Sequence, residues 1–364
     1  MPATSEVPED IIISIITELS IDRQTLEACA SVARPFRVPA QRHLYSDIAL
    51  DLGSHPSNID RVKQLNFLFT ENPQLCTYVR SLSLRFIPDD AQVPYGVFLE
   101  LSQLRKLELN FRPNQLNMVR WKDLPRRLQT EFYHLMQSPH LRQLTLVWIN
   151  GFPVTHLPHN GLHQLIIEDA YLFKDASASI PIDSLRILRF DCTLLRTDFV
   201  ETCQTIVDLL PGCLEHFALL VNNAFLCPEF HKLDLTALRH LRSLQLGYMS
   251  PLHSAVHRLK EFVERSLPNH SLKRMTIIRT TMSFFGGKLR DVDRLDLNAI
   301  DKVLANAPRL NRVHISLSVP PALDSLLVEE IIIPQIPLLA KRGGVSIYAK
   351  DQQLLTFPWR QDMA

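Results

Sequence analysis

The stretch Leu104-Arg105-Lys106-Leu107-Glu108-Leu109 puts leucine at its first, fourth and sixth places, and the same spacing returns along most of the chain. With aliphatic residues or Phe in place of some leucines it recurs at Val79-Leu82-Leu84, Leu141-Leu144-Leu146, Leu162-Leu165-Ile167, Leu185-Leu188-Phe190, Leu214-Phe217-Leu219, Leu241-Leu244-Leu246, Leu272-Met275-Ile277 and Leu310-Val313-Ile315. In a strand, alternate side chains face opposite sides. The fourth and sixth places therefore point into a core, and the third, fifth and seventh line the other face.

One short strand with a returning segment, repeated, is how a leucine-rich repeat reads. Apolar helical patterns precede several recurrences: 58–69, 128–136, 199–210, 256–267 and 300–305, with a last helix over 323–330 leading to a strand at 345–349. The expected fold class is α/β. Residues 51–364 should form an irregular leucine-rich-repeat solenoid with a concave parallel sheet and convex helices. The irregularity follows from repeat lengths that run from the low twenties to the high thirties, and from an Asn at the ninth place only at Asn222.

Composition narrows the function. Of 364 residues, 46% are hydrophobic and 21% charged, which suits a folded chain with a sizeable core. The 39 basic residues barely outnumber the 38 acidic ones, so the overall charge gives no reason to expect nucleic acid or a membrane surface as partner. Residues 331–339 are cut by Pro334 and Pro337 and fall short of the roughly 20 apolar residues of a membrane span. No basic and apolar leader opens the chain, and the six cysteines include no Cys-x-x-Cys pair. Reduced thiols and a cytoplasmic or nuclear location are expected.

Residues 1–50 do not follow the repeat. Pro8 with Glu9 and Asp10 marks a helix start, and Ile11, Ile12, Ile15, Ile16 and Leu19 lie at helical spacings. Asp22 can cap a second helix carrying Leu26, Cys29 and Val32, and Pro35 and Pro39 should break the chain around Phe36. A helical module of roughly 40 residues is near the lower limit of independent stability.

This module resembles an F-box. That family's motif opens on Leu-Pro, runs through a helix of aliphatic residues and ends near Val-Cys-x-x-Trp. Here Val7-Pro8 opens it, Val32 is followed by Ala33 at the place of the Cys, and Phe36 stands for the Trp. The resemblance implies a substrate receptor of a cullin–RING ubiquitin ligase. Val7, Pro8, Ile11, Ile12, Ile15, Ile16, Leu19, Leu26, Cys29, Val32 and Phe36 would then bind the Skp-type adaptor, and the repeats would hold an unknown protein substrate. The alternative is a leucine-rich-repeat binding scaffold whose N-terminal helices only cap the solenoid.

Substrate contacts are expected on the concave face, at Arg85, Lys106, Glu108, Asn110, Arg189, Asp191, His216, Gln245, Arg312 and His314, and on rim loops carrying Trp121, Phe284 and Phe285. No catalytic residue, metal or cofactor is expected. Gly-x-Ser-x-Gly, the phosphate-binding Gly-x-x-x-x-Gly-Lys-Ser/Thr and His-Glu-x-x-His are all missing, and His156 with His159 lacks further ligands nearby.

Overall fold

The computed structural model describes residues 7–52, 56–86, 98, 100–111, 118–173, 182–192, 199–210, 212–221, 232–248, 260–265, 272–280, 298–307, 309–318, 333–342 and 345–349. It is an α/β chain of two compact units, Met1–Leu162 and His163–Ala364.

The first unit opens with three helices, α1 (Glu9–Glu18), α2 (Arg23–Val32) and α3 (Arg34–Leu44). The Pro8 carbonyl accepts the first helical bonds of α1, from the N–H groups of Ile11 and Ile12. The Asp22 carboxylate caps α2 by accepting from the N–H groups of Gln24 and Thr25 at 3.0 and 3.3 Å. Ile12, Ile16, Leu26 and Ala40 form the small core, with Leu19, Cys29, Phe36 and Leu44 packed against it. The expected break at Pro35 and Pro39 does not occur, since α3 runs through both. Pro35 lies in the first turn, where its missing N–H costs nothing. Pro39 gives up one helical bond, and the burial of its ring offsets that loss.

The strands of this unit, β1 (Asp47–Leu52), β2 (Ser81–Phe86), β3 (Lys106–Phe111) and β5 (Gln143–Val147), form a parallel sheet in that order. A short pair, β4 (Val119–Arg120) with β6 (Ile149–Pro153), lies beside it in sequence. Helices α4 (Pro56–Glu71) and α5 (Arg126–Met136) precede β2 and β5. Phe132 of α5 packs edge-on against Phe86 and Phe111 at the ends of two strands, with ring centroids 6.3 and 5.8 Å apart.

The second unit carries β7 (Gln164–Glu168), β9 (Ile187–Cys192), β10 (His216–Val221), β11 (Ser243–Tyr248), β12 (Arg274–Thr280), β13 (Arg312–Ser318) and β14 (Val345–Ala349) as a parallel sheet in that order. The short β8 (Tyr171–Phe173) follows β7, and α6 (Phe199–Val207), α7 (Asn298–Ala305) and α8 (Pro337–Arg342) precede β10, β13 and β14. Residues 260–265, before β12, are also helical. The aromatic device of the first unit returns, with Phe199 of α6 edge-on to Phe190 at 6.0 Å. The helix expected over 323–330 and Asn222 lie outside the described residues.

Each of the nine recurrences starts its strand at its third place, from Ser81 to Arg312. Backbone hydrogen bonds explain the registration. The carbonyl at the second place accepts two N–H groups of the next strand start: Arg80 O from Arg105 and Lys106 at 2.7 and 2.9 Å, Arg186 O from Glu215 and His216 at 2.9 Å each. The paired carbonyl aligns successive leucines into rows such as Leu82, Leu107, Leu144, all essentially fully buried. Each such leucine contributes about 1.5–3 kcal/mol.

The stretches that hold β4 and β6 read in the sequence as loops. The short strands β6 and β8 follow a non-glycine residue at the eighth place that turns left-handed: Trp148 (φ 61°) between β5 and β6, and Asp169 (φ 46°) between β7 and β8. That conformation carries a steric cost for residues with a Cβ, and no local pattern in Ile149-Asn150-Gly151-Phe152-Pro153 announces it.

Candidate functional site

Two surfaces collect the residues singled out in the sequence. The first is on the helical module. Ile11 and Ile15 are spaced four apart, and so share one side of α1, while Val7 precedes the helix. Val7, Ile11 and Ile15 stand 52, 47 and 44% exposed. Pro8 is exposed beside them. Ile12, Ile16 and Leu26, expected to face the adaptor, are instead interior, because the small module has few other apolar groups with which to build a core. The sequence reading passed over Ile13 and Ile21, which are exposed as well. A helix apolar on more than one side is the signal that could have found Ile13.

Where α2 meets α3, an open groove of about 380 Å³ is lined by Asp22, Gln24, Thr25, Ala28, Cys29, Val32 and Phe36. Val32 at its edge is 80% exposed, while Cys29 and Phe36 are half-buried at the module core. The hydrogen bonds of Thr25, side chain first and backbone second, hold the Asp22 carboxyl below its ordinary range, so the groove has one fixed negative charge.

The second surface is the sheet face opposite the leucine rows. In the first unit it presents Arg85 and Lys106 exposed, with Glu108 and Asn110 half-buried, and the register sets Arg85 beside Asn110. In the second unit Arg189 and Asp191 form an ion pair along β9, with Arg189 Nε donating to Asp191 Oδ1 at 3.0 Å. Burial holds the Asp191 carboxyl above its ordinary range, and Arg189 offsets only part of that rise. Ala218 separates Arg189 from Gln245 in the register, and Gln245 is buried. His216 is half-buried beside Ile187 and Ser243, and burial lowers its pKa. Arg312 is exposed next to Arg274; His314 follows two residues on along β13, with Thr276 beside it.

Trp121 is not a rim anchor. It is interior, its ring 4.8 Å from Phe152 and 5.6 Å from His156, because the short strands carry this segment back onto α5. Phe284 and Phe285 lie outside the described residues.

Burial pushes the thiols of Cys76 and Cys213 up, away from the thiolate form a nucleophile needs. Among the described residues, no three His, Cys, Asp or Glu side chains are grouped to hold a metal ion, and no helix is long and apolar enough to cross a membrane. What the two surfaces offer is binding: an apolar helical patch, and a sheet face bearing separated charged and polar groups.

Compared with known proteins, the chain matches no family model and no curated protein sequence.

Proposed function

We propose that this chain is the non-catalytic substrate receptor of a cullin–RING ubiquitin ligase, with an F-box docking on the Skp-type adaptor and a leucine-rich-repeat solenoid holding the target protein. The observation that carries the reading is the exposure of Ile11 and Ile15 on one side of α1, with Val7 exposed just ahead of the helix. Exposed aliphatics clustered on a small module mark a binding surface. The Val7-Pro8 opening and the order of helical module before repeats add to it. The mechanism is proximity. Holding a substrate lysine beside a ubiquitin-loaded enzyme raises its effective concentration with no chemistry by the receptor itself. A cytoplasmic or nuclear location goes with this role.

The second reading is a repeat scaffold whose helices only cap the solenoid. It is favoured by the contacts of the module with α4 and the turn before β2: Arg42 stands over the Tyr78 ring at 5.8 Å, and Tyr45 meets Phe69 of α4 edge-on at 6.5 Å. Co-purification of the full chain with a Skp-type adaptor separates the two. Capture by the natural chain, lost in the folded Ile11→Asp plus Ile15→Asp variant, supports the receptor. No capture by the natural chain leaves the cap.

A further inference from the structure

The second place of the recurrence, just before each strand, holds Arg80, Arg105 and Arg142 ahead of the neighbouring strands β2, β3 and β5. Their backbones are fixed by the paired-carbonyl bonds, since Arg80 O accepts from Arg105 and Lys106, and Arg105 O from Arg142 and Gln143. At the strand spacing of about 4.8 Å, the three Cα atoms fall within about 10 Å. Arg105 and Arg142 are exposed. Arg80 is half-buried, with Nη1 donating to the Gln103 carbonyl and side chain at 3.3 Å, while Arg142 Nη1 donates to the Gly161 carbonyl at 2.9 Å.

Among the described residues, no carboxylate pairs with any of the three, nor with Arg42. The same place in the second unit is arranged differently. There Glu215 sits between Arg186 and Arg242, 3.9 and 3.0 Å from them, so the charge of those two is offset in part. The first row is left with its charge. Arg80 registers the result: its pKa is lowered first by burial, then by Arg105 and Arg42.

We infer that this edge of the first unit, formed by Arg42, Arg80, Arg105 and Arg142, is a docking surface for an extended acidic segment of a protein partner. Guanidinium groups take carboxylates in bidentate pairs, and carboxylates at alternate positions of an extended segment lie roughly 6.6 Å apart, close enough to engage two or three of these arginines together. The row is too short for a long polyanion, the net charge of the chain is only +1, and the neighbouring ring, Tyr78, is already covered by Arg42. A nucleic-acid track would instead need a longer basic groove with free aromatic faces. The inference does not depend on the ligase reading.

The test is fluorescence anisotropy of the full chain with a labelled decapeptide of alternating Glu and Ser, its Gln counterpart, and a ten-nucleotide single-stranded DNA. The Glu peptide should bind with an affinity that falls as salt rises, and the Gln peptide should not. Arg105→Glu with Arg142→Glu should weaken binding at least tenfold, Arg105→Gln with Arg142→Gln less so. An equal charge change at the exposed Arg23→Glu with Lys63→Glu should alter it less than threefold. Absence of Glu-peptide binding, equal weakening by the Arg23 and Lys63 changes, or tighter binding of the DNA overturns the assignment.

Discussion

Ile15 and Ile16 are neighbours on α1 with opposite environments: Ile16 is sealed in the helical core, whereas Ile15 is 44% exposed. Ile16→Ala should therefore destabilise the chain by about 2–5 kcal/mol, the cost of emptying a packed aliphatic site. Ile15→Ala should shift stability by no more than about 0.5 kcal/mol. Chemical denaturation followed by circular dichroism measures both. Equal losses would mean that Ile15 is a structural residue and not part of a docking stripe.

Leu107 and its neighbours divide in the same way. Leu107 is buried in the row with Leu82 and Leu144, while Lys106 and Glu108 face the other side of the sheet. Leu107→Ala is expected to cost about 2–5 kcal/mol. Lys106→Ala and Glu108→Ala should each stay within about 0.5 kcal/mol, and any effect they have belongs in a binding measurement.

Asp301 of α7 holds the start of α8 from far along the chain. Its carboxylate oxygens accept the N–H groups of Leu338 and Leu339 at 3.0 and 2.9 Å, two donors that the short helix cannot satisfy itself. Asp301 is buried. Asp301→Ala should cost about 2 kcal/mol, and Asp301→Asn, which keeps one acceptor, clearly less. Hydrogen exchange at Leu338 and Leu339 should accelerate in the Ala variant; unchanged protection there would remove the cap from the account.

His156 makes stability depend on pH. It lies among Trp121, Tyr133 and Phe152, and burial lowers its pKa from the ordinary 6.5. The unfolded chain then binds a proton more readily than the folded one, so this contribution is complete above about pH 6.5 and is lost as pH falls through that value toward the lower folded one. Urea midpoints should drop between about pH 7.5 and 5.5. His156→Phe should flatten that slope, leaving the part due to His216, whose pKa burial also lowers. An unaltered slope in the variant would exclude His156 as its source.

The strands were legible because their signal is local and repeated. Leucines at the fourth and sixth places alternate with the strand period, so every recurrence marks both its strand and the face that strand buries. The helices before β2, β5, β10 and β13 were legible for the same reason, through their own period. Breaks were read less well. Pro39 stays helical because packing outweighs one lost hydrogen bond, and a quantity set by distant neighbours leaves no local pattern. The left-handed turns at Trp148 and Asp169 belong to the same class, and the segment after Trp148 packs Phe152 against Trp121.

In the candidate sites, residue type was readable and exposure was not. Val7, Ile11, Ile12, Ile15 and Ile16 look alike as aliphatic residues at helical spacings. Only the packing of α1 on α3 decides which of them build a core and which remain available. The arginines before β2, β3 and β5 are plain in the sequence, yet a row of charge exists only because parallel pairing brings residues 80, 105 and 142 side by side. Periodicity along the chain determines elements and their buried faces, since both depend on neighbours within a few residues. Burial and charge compensation depend on what lies across the fold, and for Ile15 and Arg105 alike that was decided by tertiary structure alone.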